Sequence, residues 1–185
     1  MCKVDKIVSE LSAAPRGDMH SQHVAAVYNG GKIATYGYNH RRSHNKGFMY
    51  SFHAEMHALT KFLSLHDMHD IKNIINDDNI YKSGDISTLQ RKLSTNKNFK
   101  ALSKMKIDIF IMRFNRNGNF AQSKPCNICL SYLKLFNINH VYYSTPDGIV
   151  KEKIRDMEYE KYSSFKKNNF DKPDDAIKNF MYCYN

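Results

Sequence analysis

Hydrophobic and polar positions follow two different periods along this chain, and each period predicts a type of element. Residues 4–11 place apolar side chains at helical spacing, which predicts a short helix that ends before Pro15. Two apolar segments follow at 24–28 and 32–38, on either side of Asn29-Gly30-Gly31. A short turn of Asn and Gly between two apolar segments is typical of a β-hairpin. The chain is therefore expected to begin with a helix and a hairpin.

Helical and strand patterns then alternate to the end of the chain. The pattern predicts a loop at 39–47, a helix from 53 to about 65, a buried strand at 107–112, a helix from 126 to about 136, a strand at 141–143 and a mixed helix from about 151 to 165. Pro125 is expected at the first helical position, where its missing N–H costs nothing. Such alternation implies an α/β fold in three layers, with helices against a mixed sheet.

The middle of the chain departs from this order. Residues from about 66 to 106 are polar and rich in Asn, Lys and Asp, with weak periodicity and one predicted helix near 87–93. Segments of this length inside a compact domain are usually functional or disordered. We interpret residues 1–185 as a single domain with an insertion at about 66–106.

Composition restricts the class of protein. The chain has 185 residues, of which 42% are hydrophobic, so it has room for a core. No apolar run approaches about 18 residues and no signal-peptide pattern opens the chain, which favours the cytoplasm or the nucleus. The four cysteines are consistent with a reducing compartment.

The charge is strongly positive: 28 Lys and Arg against 18 Asp and Glu give a net charge of +10. Part of the excess follows the second predicted strand, at Arg41 and Arg42, and part lies between residues 91 and 106. A positive field attracts the phosphates of a nucleotide or of a polynucleotide. A solvated basic surface without a partner is the alternative.

Two short motifs carry candidate chemistry. His53 and Glu55 form an H-x-E motif, and Cys126 and Cys129 follow Pro125 in a P-C-x-x-C motif. One imidazole and two thiolates fill three corners of a zinc tetrahedron, and catalytic zinc sites keep the fourth position for water. Glu55 is then available to transfer protons. Taken alone, the two cysteines would indicate a structural zinc knuckle or two buried thiols at least as strongly as a catalytic site.

Two other histidine patterns have less specific interpretations. His57 lies one turn after His53, and we expect it to pack beside the site rather than to bind metal. The segment His66-Asp67-Met68-His69-Asp70 is rich in metal-ligating side chains, but a solvated loop is the favoured interpretation.

With these two motifs the chain resembles the cytidine and deoxycytidylate deaminase superfamily of zinc-dependent enzymes. The resemblance covers most of 24–39, 53–65 and 107–148 and is most specific at the two motifs. It implies a mixed five-stranded sheet flanked by helices and one catalytic Zn²⁺ bound by His53, Cys126 and Cys129. It also implies that Glu55 shuttles protons while cytosine is hydrolysed at C4 to uracil.

The resemblance also suggests substrate contacts. Asn39 is similar to a family Asn that binds the sugar, although a turn-forming Asn is an equal alternative. The main-chain N–H of Ala54 is similar to the group that contacts the pyrimidine carbonyl, and Ser123 is placed beside the exocyclic amine. Arg41, together with the neighbouring Arg42 and Lys46, could bind a phosphate near Asn39.

Three functions remain for comparison. The favoured one is a deaminase of a free nucleoside or nucleotide, such as a cytidine-like or dCMP-like substrate. The second is a deaminase of cytosine or adenine within single-stranded DNA or RNA, which needs a basic track and stacking aromatics. The third is a zinc-stabilised binding module, which would not need Glu55. No membrane partner is expected, and a homo-oligomer formed through the helices that flank the sheet is suggested by the resemblance.

Overall fold

The computed structural model describes residues 3–14, 22–43, 49–75, 86–102 and 104–158. Six helices are described: α1 (Lys3–Ala13), α2 (Ala54–Leu65), α3 (His69–Ile75), α4 (Ile86–Ser94), α5 (Lys97–Leu102) and α6 (Asn127–Leu135). Eight strands are described: β1 (Gln22–Asn29), β2 (Lys32–Tyr38), β3 (His40–Ser43), β4 (Met49–Phe52), β5 (Ile107–Phe114), β6 (Phe120–Ala121), β7 (His140–Thr145) and β8 (Gly148–Lys153).

The main sheet is mixed. Its strands follow the order β2-β1-β5-β7-β8, with β6 paired to the end of β5, while β3 and β4 form a separate two-stranded sheet. β5 and β7 run parallel and are joined through α6, whereas the other strand pairs are antiparallel. The α/β fold predicted from the sequence is confirmed, with one more strand in the main sheet than the five expected.

The two faces of the sheet belong to different hydrophobic layers. On β5, Ile109 and Ile111 pack with α2 and α6, while Phe110 and Met112 pack with α1. Successive side chains of a strand point to opposite faces, so a strand that is covered on both sides reads as a continuous apolar run. This explains why the segment 107–112 is uniformly hydrophobic.

Three local predictions are wrong. Residues 148–153 form strand β8 rather than the start of the predicted 151–165 helix, because they pair with β7 across the Pro146-Asp147 turn. Residues 159–165 of that prediction lie outside the described residues. The predicted 39–47 loop contains strand β3, and Pro125 precedes the helix cap at Cys126 instead of occupying the first helical position.

The polar stretch 66–106 contributes to the core where it is described. The helix expected near 87–93 is present as α4, and α3 and α5 lie on either side of it in sequence. Ile71, Leu93 and Leu102 are fully buried in the layer that contains α2 and α6. Each helix in the described ranges is too short or too polar to cross a bilayer.

Candidate metal centre

The two sequence motifs meet where two helices begin. His53 is the N-cap residue of α2 and Cys126 is the N-cap residue of α6, both in extended backbone conformation. Their carbonyls accept the first helical hydrogen bonds, from His57 (3.0 Å) and Leu130 (2.8 Å). N-cap side chains commonly bond to the helix that they start. Neither of these two does so, and both side chains turn towards each other instead.

The candidate ligand atoms form a compact triangle. His53 Nδ1 lies 3.2 Å from Cys129 Sγ and 3.5 Å from Cys126 Sγ, and the three atoms all lie within 4.8 Å of one another. Zn–N and Zn–S bonds at tetrahedral angles place nitrogen and sulfur about 3.6 Å apart and two sulfurs about 3.8 Å apart. The donor set and its spacing therefore fit a zinc ion. Within the described residues this is the one group of three such ligands.

Glu55 lies beside this triangle without being part of it. The side chain is 6% exposed, and His53, Cys126 and Cys129 all lie close enough to influence its pKa. The metal-capable group contains His53, Cys126 and Cys129 but not Glu55. A buried carboxylate that contacts the ligand set, yet lies outside it, is suitably placed to accept and donate protons.

The electrostatics of the cluster favour a thiolate at Cys126. The hydrogen bond from Cys129 and the nearby His53 lower the pKa of Cys126 well below its usual range, and the same hydrogen bond together with burial raises the pKa of Cys129. Burial lowers the pKa of His53, but the charge of Cys126 outweighs it and raises that pKa to about 9. Burial raises the pKa of Glu55. Four ionisable groups are thus concentrated in one water-poor site, as is common at functional sites.

The segment that carries the cysteines is fixed to the sheet by two serines. The Ser123 hydroxyl donates to the carbonyl of Ile111 (2.8 Å) and accepts from the main-chain N–H of Ser144 (2.8 Å). The Ser144 hydroxyl donates to Ala121 O (2.7 Å) and accepts from the N–H of Arg113 (3.0 Å). The structure thus places Ser123 in a buried network two residues before Pro125, where it positions the approach to α6.

The other predicted substrate contacts lie at the same end of the sheet. Asn39 is buried directly after β2, and its Oδ1 accepts the main-chain N–H of His23 (2.8 Å). Ala54 is fully buried as the first residue of α2, where main-chain N–H groups have no acceptor within the helix. Arg41 lies in β3 opposite Ser51, but its side chain and the whole of Lys46 lie outside the described parts of the chain.

An aromatic and histidine cluster next to the triangle was not found by sequence reasoning. The rings of His40 and His57 lie 4.6 Å apart, and the Nδ1 atoms of both lie 3.1 Å from the carbonyl oxygen of Tyr38. His57 therefore packs beside the site, and no metal-capable group among the described residues includes it, as expected. No periodic pattern links residues 38, 40 and 57, because the contact depends on how α2 lies against β2.

Comparison with models of known protein families and with curated protein sequences finds no match for this chain.

Proposed function

We propose that this chain is a zinc-dependent hydrolytic deaminase that converts cytosine to uracil in a nucleoside or nucleotide. The observation that carries the proposal is the convergence of His53 Nδ1, Cys126 Sγ and Cys129 Sγ, with Glu55 buried in the first turn of α2 beside the ligand set but outside it. Three protein ligands distinguish catalytic zinc sites from the closed four-ligand structural ones.

The positions of the side chains suggest which residues bind the metal and which transfers protons. His53, Cys126 and Cys129 would hold the ion, which supplies Lewis acidity and makes water nucleophilic at neutral pH. Glu55 would take a proton from the attacking water and deliver protons to the ring nitrogen and the leaving ammonia. Water thus adds at C4, the C4–N bond breaks, and one ammonia is released for each uracil formed.

The structural zinc knuckle fits these observations less well. A closed site needs a fourth protein ligand, and the group found among the described residues contains three. A structural role also gives no reason to bury a carboxylate against Cys129, since burying an ionisable group costs free energy unless it is paired.

Deamination within single-stranded DNA or RNA remains the second candidate, favoured by the net charge of +10. Strands β3 and β4 immediately precede His53, and β3 carries Arg41 and Arg42. Positive residues therefore lie close to His53 in sequence, which suits a nucleotide and a polynucleotide equally.

Ammonia release by the zinc-loaded chain tests the reaction and separates the substrates. The assay compares cytidine, dCMP, single-stranded DNA and single-stranded RNA, with adenosine as the purine control. Turnover of cytidine or dCMP supports the nucleotide proposal, and turnover of the polynucleotides alone supports the second candidate. A protein that binds one zinc and releases ammonia from none of them is not a deaminase of these substrates.

A further inference from the structure

Exposed lysines collect along one end of the main sheet. Strand register places Lys32 opposite Asn29, Asn29 opposite Ile107, and His140 opposite Lys153. Asp108, next to Ile107, pairs with His140, so these positions form one row across all five strands of the main order. Lys32 and Lys153 are exposed at its two sides.

The described part of the 66–106 insertion extends this row. Lys104 and Lys106 lie in the turn that leads into β5, and Lys97 is the first residue of α5. α5 is held at this end because Phe99 packs edge-on against Phe136, the residue after α6, with ring centroids 5.7 Å apart. We call the exposed lysines at this end the basic edge; they are Lys32, Lys97, Lys104, Lys106 and Lys153.

The basic edge lies away from the metal centre. α6 starts at Cys126 in the metal centre and ends beside α5, about 13 Å away for a helix of nine residues. α2 likewise starts at His53 and runs on towards α3. The basic edge cannot therefore hold the phosphate of a mononucleotide whose base lies at the metal centre.

Negative charge does little to compensate the basic edge. Residues 91–107 include six Lys or Arg and no Asp or Glu. Two of the nearest carboxylates already have cationic or histidine partners, Asp108 with His140 and Asp156 with Arg155. Across the described ranges, no ion pair involves a lysine of the basic edge.

We propose that the basic edge binds the phosphate backbone of a nucleic acid, at a surface separate from the metal centre. Lysine ammonium groups are hydrated point charges that suit phosphate neutralisation without base recognition. Among the residues whose side chains the structure describes, no Phe or Tyr is exposed and Leu65 is the one exposed large hydrophobic side chain. Base stacking and insertion into a membrane both need such side chains, so the chemistry of this edge fits the backbone alone. The proposal does not depend on the reaction at the metal centre.

Fluorescence anisotropy with labelled DNA tests this surface. The probes are a duplex of about 20 base pairs and a single strand of the same length, titrated with the full chain over a range of salt concentrations. The test variant is Lys97→Ala/Lys104→Ala/Lys106→Ala. The matched control removes three exposed charges elsewhere, Lys6→Ala/Lys61→Ala/Arg116→Ala. Circular dichroism melts check that both triple variants fold like the parent.

The test variant is expected to bind both probes at least about tenfold more weakly, while the control stays close to the parent. For the duplex, the logarithm of the binding constant is plotted against the logarithm of the salt concentration. The slope of this plot should be shallower for the test variant by up to about 2.7, since each lost phosphate contact reduces the slope by about 0.9. Equal weakening by both variants would show diffuse attraction and overturn the proposal. So would no DNA binding by the parent, or tighter binding to phosphatidylserine vesicles than to DNA. Glu55→Gln should bind DNA like the parent, so loss of deamination and loss of this surface are separate results.

Discussion

Gly37 of β2 packs so closely against α2 that a Cβ atom there would lie 2.2 Å from the main-chain nitrogen of Ala58. The same Cβ would lie 2.4 Å from the carbonyl oxygen of Ala54, in the first turn of the helix that His53 caps. Thr35 reinforces the contact through a 2.9 Å hydrogen bond from its hydroxyl to Ala58 O. The position of His53, one of the three candidate metal ligands, therefore depends on the absence of a side chain on the neighbouring strand.

Gly37→Ala is expected to push α2 away from β2 and to disturb the metal centre. The atoms in the way belong to the backbone, so the clash cannot be relieved by a rotamer change, and overpacking of this kind costs about 1–3 kcal/mol. Urea unfolding measures the loss of stability, and zinc content per chain measures the disturbance of the site.

Gly148→Ala is the matched control for that substitution. Gly148 has a φ of 132°, which strains any other residue, but no atom lies within 4 Å of its Cβ position. This variant should lose stability and keep its zinc. If Gly37→Ala binds zinc as well as Gly148→Ala does, the packing of α2 on β2 does not position His53.

Zinc is expected to bind at one ion per chain and to raise the thermal unfolding midpoint. A ligand that binds only the folded state stabilises it according to its concentration and affinity. Cys126→Ala and Cys129→Ala should each abolish the zinc-dependent rise, because two remaining ligands hold the ion poorly. Elemental analysis and thermal melts with and without a chelator measure both effects.

The other two cysteines provide the comparison. Cys2→Ala and Cys183→Ala change residues outside the two motifs and should leave one zinc per chain. Loss of zinc in either of these variants would mean that the ligand set is not the one that His53, Cys126 and Cys129 form.

Glu55→Gln should keep zinc and lose turnover. The amide matches the carboxylate in size and fits the same buried position, but it cannot accept the proton of the attacking water. We expect activity to fall by about 10²–10⁴-fold, as is usual when a general acid–base group is removed. Steady-state kinetics on the best substrate measure the effect, with Glu10→Gln on the exposed face of α1 as control. Comparable turnover in the Glu55 and Glu10 variants would remove Glu55 from the mechanism.

The candidate metal ligands could be picked out from the sequence because their signal is local. The H-x-E and P-C-x-x-C spacings fix which atoms can converge once each motif lies at a helix start, and the helices 53–65 and 126–136 have clear periodicity. Strand β8 could not be predicted in this way. Its residues take their conformation from pairing with β7, and such long-range pairing overrides local propensity.

The hydrogen-bond partners of the predicted substrate-binding residues could not be predicted from the sequence. Asn39 and Ser123 lie at the same end of the sheet as the metal centre, and their predicted contacts with substrate stay predictions. What their polar atoms do depends on partners far away in sequence, such as Ile111 and His23. The next two predictions separate a structural role from a substrate role at each position.

Ser123→Ala is expected to destabilise the fold. It removes the acceptor of the Ser144 main-chain N–H and the donor to Ile111 O in a buried network, and a buried polar group left without a partner costs about 1–3 kcal/mol. Ser12→Ala, which removes an exposed hydroxyl that bonds to Val8 O, should change stability by less than about 0.5 kcal/mol. Urea unfolding compares the two. An unfolding free energy equal to that of the parent, with a raised KM, would instead favour contact with the substrate.

Asn39 permits a test of both roles, because an aspartate can keep the acceptor that Oδ1 provides while removing the amide donor. The Oδ1 atom holds His23 of β1, so Asn39→Asp keeps this acceptor while Asn39→Ala loses it. If the amide nitrogen also contacts the sugar of the substrate, Asn39→Asp should raise KM with little change in kcat, since it removes the donor and places a negative charge beside the substrate. Some loss of stability is also expected, because the new carboxylate is buried. Asn39→Ala should lower both stability and affinity. Kinetics on a nucleoside and on its monophosphate, together with unfolding curves, distinguish the roles, and an unchanged KM in Asn39→Asp would leave Asn39 with the structural role alone.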